Sequence, residues 1–186
     1  IKRNERFQQG IPDAFIAACD AIIGFDTSSW LLIQRAHDAG KKMVLDASIA
    51  HPAEKENVYA QLRRDFPEWQ QHIAPKSNKH LQWELQEMET ADHIVAASAF
   101  TRNTYISHGV DANKISVNPY GLHLDFFTSK WNGEESERSS ASTSASASTI
   151  TFAFLGIISA RKGIPWLCKV WQAFHSRYPN TKLLLG

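Results

Sequence analysis

Apolar runs and amphipathic stretches alternate along the first part of the chain. Residues 20–25 (DAIIGF) are an apolar run between turn formers, and the segment TSSWLLIQRAHDAG that follows carries Ser and Thr cap residues and an apolar stripe. This pattern predicts a strand and then a helix that stops at Gly40. Residues 42–45 (KMVL) predict a second strand, and residues 52–66 predict a charged helix bounded by prolines.

The same alternation continues through the middle of the chain. Helices are predicted over residues 78–90 and 100–108, and strands over residues 91–98 and 114–118. The predicted strands are apolar at successive positions rather than at every second one, which is typical of strands buried on both faces. The alternation therefore predicts an α/β fold with a parallel sheet covered by helices on both faces.

A change of composition separates this region from the C-terminal part. Residues 133–149 (GEESERSSASTSASAST) contain no aliphatic side chain larger than Ala and end in eleven consecutive Ser, Ala or Thr residues. Such a segment buries too little apolar surface to offset the entropy of ordering it, so we predict a mobile linker, with an ordinary surface loop as the alternative. A new strand, turn, helix and strand follow over residues 150–186, which predicts the start of a second doubly wound domain.

The helix predicted in this second domain has one apolar face. Its members are spaced as i, i+3, i+4 and i+7, and we expect them to face a sheet. They are Leu167, Val170, Trp171 and Phe174.

Composition and charge exclude several functional classes. The chain is 43% hydrophobic, and 20 Lys and Arg oppose 19 Asp and Glu, so no excess of positive charge predicts nucleic-acid binding. No apolar run approaches the roughly 20 residues that cross a bilayer, and the N-terminal segment has no signal-peptide core, which predicts a soluble, cytoplasmic protein. Cys19 and Cys168 lie in apolar surroundings without metal-ligand spacing, so we expect them to be reduced core residues.

The turn over residues 156–163 (GIISARKG) carries the clearest candidate chemistry. It joins the end of a predicted strand to a helix whose first turn contains Pro165. Ligands of open α/β sheets bind at the carboxyl ends of strands, and a helix N-terminus attracts anions. Arg161 and Lys162 would add two cations there, which favours a phosphate or diphosphate group, with two solvated turn residues as the alternative. The order Lys-Gly-Ile excludes a P-loop, and no GxGxxG occurs.

Two segments of the chain resemble the family 4 glycosyltransferases of the GT-B fold. Residues 154–186, beginning FLGIISARKGIPWL, resemble the start of that family's donor domain, where a turn ending in Lys-Gly precedes a helix and an apolar strand ending in Gly. Residues 84–127 resemble the end of its acceptor domain. They contain a Glu-rich helix, the strand ADHIVAAS, a helix ending in His-Gly-Val, the strand KISVN, a Pro-x-Gly hinge and a final Phe, in the family's order.

The resemblance implies two Rossmann-like, doubly wound parallel-sheet domains, the second truncated. An acceptor-side domain would occupy residues 1–128 without its first strand, an interdomain linker residues 129–149, and the start of the donor domain residues 150–186. Because the chain begins without Met and ends in LLLG, where a predicted strand finishes, we expect it to be a piece of a longer protein. The family's paired glutamates would then lie beyond it, and the fragment alone is expected to have no transferase activity.

The family's roles in donor binding can be transferred to individual residues of the turn. Lys162 would bind the diphosphate of a nucleotide sugar and stabilise the leaving nucleoside diphosphate, and Gly156 would let the backbone approach the donor. Many members carry an Arg directly after that glycine, but this chain has Ile157, and Arg161 is expected to supply the charge instead. The family's interdomain hinge corresponds to Pro119, Tyr120 and Gly121.

His51 is the candidate catalytic residue on the acceptor side. It follows a predicted strand at a point where the family often has a His facing the sugar, and its near-neutral pKa suits donor orientation or proton transfer. Capping of the next helix is the alternative. We expect Asp46 to lie in the same loop, and we expect Ser98 and Thr101 to cap a helix rather than bind a ligand.

The resemblance also defines expectations for activity and partners. The parent protein would transfer a glycosyl unit from a nucleotide sugar to a carbohydrate, lipid-linked or other small acceptor, and the absence of Asp-x-Asp predicts transfer without a metal or other cofactor. Lys55, Arg63 and Arg64 suggest weak contact with an anionic membrane surface, although a solvated charged helix face is favoured. A sugar-nucleotide epimerase of the same fold and a non-catalytic nucleotide-sugar-binding or scaffold protein are the alternative functions.

Overall fold

The computed structural model describes residues 2–73, 75, 77–123 and 149–186. These residues form a mixed α/β structure with two parallel sheets, which confirms the predicted fold class at that level. Grouping the chain by its contacts gives two units. The first contains Ile1–Gln61 and Ala74–Tyr120, and the second contains Leu62–Ile73 and Gly121–Gly186.

The elements up to residue 120 match the predicted order closely, with two additional helices at the N-terminus. They are α1 (Lys2–Gln9), α2 (Asp13–Ala17), β1 (Ala21–Phe25), α3 (Trp30–Asp38), β2 (Lys42–Ala47), α4 (Pro52–Asp65), α5 (Asn78–Thr90), β3 (His93–Ala96), α6 (Ala99–Ser107) and β4 (Ile115–Val117). Short 3₁₀ helices occupy Pro67–His72 and Ala112–Lys114.

The four strands of the first unit lie side by side in chain order and all run parallel. Phe25 at the end of β1 pairs with Asp46 in β2, which pairs in turn with Val95 in β3. The prediction that Asp46 lies in a loop is therefore wrong, because the apolar run KMVL stops before the hydrogen-bonded strand does. This register aligns the carboxyl ends of β1, β2 and β3, so the loops that follow them meet at one edge of the sheet.

The core of the first unit is built on the two inner strands. Each inner strand is paired on both sides and covered by helices, so its side chains are removed from water. The fully buried apolar residues of these strands are Met43, Leu45 and Ala47 in β2 and Ile94 and Ala96 in β3. They form one cluster with residues of the surrounding helices, including Ile33 of α3, Met88 of α5 and Tyr105 of α6.

The second unit contains β5 (Ile150–Phe154), a 3₁₀ turn (Ala160–Lys162), α7 (Ile164–Arg177) and β6 (Thr181–Leu185). β5 and β6 pair in parallel, as the predicted strand-helix-strand pattern requires. The rings of Trp171 and Phe174 on α7 contact Phe152 on β5. Val170, which we expected on the same face, is instead 61% exposed, so the sheet-facing stripe is narrower than predicted.

Two further expectations concern the cysteines and the linker. Cys19 and Cys168 are free thiols, but both are half-buried rather than core residues. The predicted linker lies outside the described residues except for Thr149, and the domain limits at 128 and 150 stay predictions. None of the helices described here has the length and apolar character needed to span a membrane.

Candidate functional site

The predicted phosphate-binding turn starts at the carboxyl end of β5. The Gly156 N–H donates to the carbonyl oxygen of Gly186, 2.7 Å away, so the turn begins beside the end of β6. Gly156 has a φ of +147° and Gly163 a φ of +78°, values that favour glycine because other residues carry a Cβ that clashes there. Gly163 directly precedes α7, which has Pro165 in its first turn as predicted.

Arg161 and Lys162 are exposed on the 3₁₀ turn that leads into α7. The turn is held by backbone hydrogen bonds, from the Lys162 N–H to the Ser159 carbonyl oxygen at 3.1 Å and from the Gly163 N–H to that of Ala160 at 2.9 Å. Within the described ranges, neither cationic side chain has an ion pair or a hydrogen bond. Both cations are therefore accessible to an anion at the N-terminal end of a helix.

Ile157 stands where many members of the resembled family carry an Arg. It is 73% exposed and follows Gly156 at the end of β5. An exposed apolar side chain supplies no charge to a phosphate group, so the two cations at 161 and 162 are the positive charges of this turn. That Arg161 supplies the positive charge of the missing Arg stays a prediction.

The first unit carries polar residues at the corresponding ends of its strands. Asp26 follows β1, and its carboxylate accepts hydrogen bonds from the backbone N–H of Ser48 at 3.0 Å and from the Ser48 hydroxyl at 2.9 Å. Burial raises the pKa of Asp26, although these hydrogen bonds act in the opposite direction. Ser98, after β3, accepts a hydrogen bond from the Thr101 N–H at 3.0 Å, which confirms the predicted capping of α6.

His51 lies directly before α4 and is only 5% exposed. Its Nδ1 accepts a hydrogen bond from the Ala53 N–H at 3.2 Å, and its own backbone N–H donates to the Thr104 hydroxyl at 3.0 Å. The imidazole stacks on that of His108 with 4.2 Å between the ring centroids. Burial, together with the neighbouring His108, lowers the pKa of His51 to about 4.

These contacts give His51 the capping role that we considered as the alternative. Because Nδ1 accepts a backbone N–H, the proton of the neutral ring is on Nε2, and a lowered pKa keeps the ring neutral near pH 7. The free donor of the neutral His51 ring is therefore its Nε2–H. Its role in catalysis stays a prediction.

The start of α3 is held by a buried carboxylate that the sequence pattern did not single out. Glu87 on α5 is almost completely buried, and its two oxygens accept three backbone hydrogen bonds from the loop after β1 and the first residue of α3. The donors are the N–H groups of Thr27, Ser29 and Trp30, at 2.7, 2.5 and 3.1 Å. A usable signal was present, because Glu84 and Glu87 share a helix face with buried Met88, where apolar residues are expected.

Gln8 on α1 completes the capping of α3 from another direction. Its side-chain oxygen accepts hydrogen bonds from the N–H groups of Leu31 and Leu32 at 2.8 and 3.2 Å. The predicted cap by local Ser and Thr residues is wrong, since the Ser29 hydroxyl donates to the Phe25 carbonyl oxygen instead. Helix α1 was not predicted, so its contribution could not be foreseen.

Two of the three cationic residues of α4 considered for membrane contact interact with other residues of the chain. The Lys55 ammonium lies 3.4 Å from the Glu84 carboxylate, and its side chain is 14% exposed. Arg63 donates to the carbonyl oxygen of Ile73 at 3.0 Å, while Arg64 is exposed. Of the three residues considered for membrane contact, Arg64 is thus the one that faces solvent freely.

The predicted hinge begins at Pro119, with one residue between it and the end of β4. The Asn118 N–H donates to the Ala96 carbonyl oxygen at 3.0 Å, which ties the chain to β3 just before the hinge. Tyr120 is exposed, and the chain passes from the first unit to the second between Tyr120 and Gly121. Motion at this point stays a prediction, as does the role of Pro119.

No family model and no curated protein matches this chain. Across the described residues, no group of three or more His, Cys, Asp or Glu side chains has the arrangement of a metal site. The glycine-flanked turn remains the candidate site because it places the exposed Arg161 and Lys162 at the start of α7.

Proposed function

We propose that this chain is part of a glycosyltransferase of the GT-B type, which moves a sugar from a nucleotide-sugar donor to an acceptor. The observation that carries the proposal is the exposed Arg161–Lys162 pair between the carboxyl end of β5 and the start of α7. Two cations, a helix N-terminus and flanking glycines at one strand end are suited to a diphosphate group.

The proposed chemistry is electrostatic. As the bond between the sugar and the diphosphate breaks, negative charge develops on the leaving phosphate oxygens. The Lys162 ammonium stabilises that charge, and the Arg161 guanidinium can form two parallel hydrogen bonds with phosphate oxygens. Stabilisation that grows as the charge develops lowers the barrier rather than merely tightening binding.

Acceptor binding is proposed at the carboxyl edge of the four-stranded sheet. The Asp26–Ser48 contact and the His51 cap fix the loops after β1 and β2 at that edge. His51 would orient a sugar hydroxyl of the acceptor through its Nε2–H. With a pKa of about 4 it is a weak base, so we propose that it positions a group rather than removing a proton.

Calorimetric titration of UDP, GDP and ADP into the full-length protein tests this function. We expect at least one nucleotide to bind, and Lys162→Ala to weaken it about 10- to 100-fold, which corresponds to a lost charge-assisted hydrogen bond of about 1.5–3 kcal/mol. Lys182→Ala is the matched control, because Lys182 is also exposed but lies near the start of β6, away from the carboxyl ends.

Two results would oppose the proposal. If no nucleotide binds the wild-type protein, the non-catalytic scaffold alternative is favoured. If Lys162→Ala and Lys182→Ala bind a nucleotide as tightly as the wild type, the turn is not its phosphate site.

A further inference from the structure

Helix α4 begins at a buried histidine whose side chain and backbone both hold its first turn. Pro52 has no N–H, so Ala53 carries the first N–H group of the helix, and the Nδ1 atom of His51 accepts it at 3.2 Å. The carbonyl oxygen of His51 accepts the Lys55 N–H at 3.0 Å, as an N-cap carbonyl does. The start of α4 therefore depends on the position of this one residue.

The same histidine joins the loop after β2 to α6. Its backbone N–H donates to the Thr104 hydroxyl at 3.0 Å, and that hydroxyl donates to the Thr101 carbonyl oxygen at 2.7 Å. The imidazole stacks on His108 and meets the ring of Tyr105 edge-on, with 4.2 and 5.6 Å between the ring centroids. The ring of His51 is thus held by contacts with both α6 and the start of α4.

A proton cannot be added to this ring without breaking the cap. The neutral ring carries one N–H, on Nε2, and the lone pair of Nδ1 accepts the Ala53 N–H. In the imidazolium ion both nitrogens carry a proton, so a donor would face a donor across 3.2 Å. Protonation of His51 and capping of α4 therefore exclude each other.

The surroundings of the ring also disfavour a positive charge. His51 is 5% exposed, and a buried charge without a counter-ion is costly. The N-terminus of a helix carries a partial positive charge, which opposes a cation at this position. Among the described residues, no carboxylate forms an ion pair with His51. The closed arrangement thus offers a charged ring neither solvent nor a counter-ion.

The titratable groups around the ring lie on α4 and at α6. Burial raises the pKa of the Tyr105 phenol, so that group stays neutral. His108 brings a second imidazole, and a positive charge on it would oppose one on the stacked ring. In the first turn of α4 the charged residues are Glu54 and Lys55, and the Lys55 ammonium lies 3.4 Å from the Glu84 carboxylate. The group stacked on the ring is therefore another base rather than an acid.

We propose that the start of α4 is acid-sensitive: protonation of His51 breaks its cap on Ala53 and opens the loop after β2 together with the first turn of α4, while the four-stranded sheet stays folded. His51 does not belong to the apolar cluster around β2 and β3, so the sheet should outlast the cap. The inference does not depend on glycosyl transfer, because it concerns contacts of His51 within the first unit.

Electrostatic effects agree with this geometry. Burial, together with the neighbouring His108, lowers the pKa of His51 from its ordinary 6.5 to about 4. In the open form the ring is solvated and regains its ordinary pKa. Between these two values the open form binds more protons than the closed form. The stability of the closed form is therefore fully present above pH 6.5 and is lost as the pH falls toward about 4.

Hydrogen exchange of the full chain, followed by NMR from pH 4 to 7, tests the proposal at the Ala53 amide. After correction for the intrinsic exchange rate, we expect the protection of this amide to fall about tenfold per pH unit below about pH 6, and on the order of a hundredfold in total. The Leu45 amide in β2 should keep its protection. Constant protection of Ala53, or an equal loss at Leu45, would overturn the proposal.

Two histidine variants separate this cap from other effects of acid. His51→Asn keeps a side-chain acceptor suited to an N-cap but has no proton to gain, so the protection of Ala53 should no longer depend on pH. His72→Asn is the matched control, because His72 is exposed at the end of the 3₁₀ helix Pro67–His72, and it should keep the wild-type dependence. The wild-type dependence in His51→Asn would refute the proposal.

A measurement on the wild type covers the case in which His51→Asn does not fold. The NMR chemical shifts of the ring nitrogens distinguish a bare nitrogen from one that carries a proton. We expect Nδ1 of His51 to be bare at pH 7 and to become protonated over the pH range in which the Ala53 amide loses protection. A proton on Nδ1 at pH 7, or protonation of His51 with Ala53 still fully protected, would show that the proposal is wrong.

Discussion

The same strand-helix-strand pattern occurs in both units of this chain, with very different burial. In the first unit, β1, α3 and β2 belong to a four-stranded sheet, and Leu45 of β2 is 0% exposed. In the second unit, β5, α7 and β6 form a two-stranded sheet, and Leu184 of β6 is 46% exposed. Similar apolar runs thus form strands in both places, but burial depends on how many neighbouring elements cover them.

The difference separates what local sequence determines from what packing determines. The apolar run ITFAF and the amphipathic helix after it form as predicted although most of their side chains remain exposed. Apolar burial contributes roughly 25 cal/mol per Å², so the first unit gains far more stability from the same local pattern. We therefore expect the second unit to open more readily than the first.

The largest difference in stability between the two units should appear when one leucine is truncated in each. Leu45→Ala removes a fully buried side chain and leaves a cavity, which costs about 2–5 kcal/mol, whereas Leu184→Ala at a half-exposed position should cost less than about 1.5 kcal/mol. Denaturant-dependent hydrogen exchange of the β2 and β6 amides would measure both. Equal losses would contradict the contrast in packing between the two sheets.

A second comparison concerns how the helices begin. Gln8→Ala removes the buried side chain that accepts the N–H groups of Leu31 and Leu32, and leaving these donors unpaired should cost about 1–3 kcal/mol. Gln9→Ala changes an exposed neighbour on the same helix and should cost less than about 0.5 kcal/mol. Urea unfolding would compare the two variants, and similar values would show that Gln8 does not hold α3.

Removing a helix cap made by a neighbouring residue should cause a smaller loss of stability. Ser98→Ala removes the acceptor of the Thr101 N–H at the start of α6 and should cost about 1 kcal/mol. Ser159→Ala is the counterpart in the second unit, where Ser159 precedes the 3₁₀ turn without a side-chain cap, and it should be nearly neutral. If thermal unfolding gave the opposite order, the assignment of these caps would fail.

The smallest expected effect on stability is electrostatic, and its pH dependence appears only at acidic pH. Burial raises the pKa of Asp92, but hydrogen bonds from Lys42, the Met43 N–H and His37 outweigh burial and hold this pKa well below its usual range. The resulting stability is present above the unfolded pKa of 3.8 and is lost as the pH falls through the folded pKa.

Asp92→Asn should therefore be less stable than the wild type at pH 7, with a difference that shrinks as the pH is lowered from 4 toward 2. Asp20→Asn, at an exposed position just before β1, should show no such trend. Acid unfolding monitored by circular dichroism would measure both. A difference that stays constant down to pH 2 would contradict the role of the Asp92 contacts.

Elements with a clear apolar period were predictable from the sequence, mostly to within one or two residues at each end. Helix α5 begins and ends where predicted, because its ends carry clear local signals such as the Ser77 cap. Helices α1 and α2 were missed because their apolar residues, such as Phe7 and Phe15, are exposed and show no simple core face. Local pattern thus defines an element well where its apolar residues follow a regular period.

The candidate site could be predicted only in its local part. The Lys-Gly turn, its glycines and its place at a strand end follow from residues that are adjacent in sequence. Glu87 reaches the start of α3 from 57 to 60 residues away, and no local period encodes such a contact. The capping contact of His51 depends likewise on how α4 begins, so the sequence alone left both of its roles open.

The central claim is that the turn with Lys162 binds the phosphates of a nucleotide. Hydrogen exchange of the full-length protein, measured by mass spectrometry with and without UDP, GDP or ADP, tests it most directly. We predict that one nucleotide slows exchange over residues 156–167 and that Lys162→Ala abolishes this protection. Protection elsewhere without any change in this segment, or no protection by any of the three nucleotides, would contradict the claim.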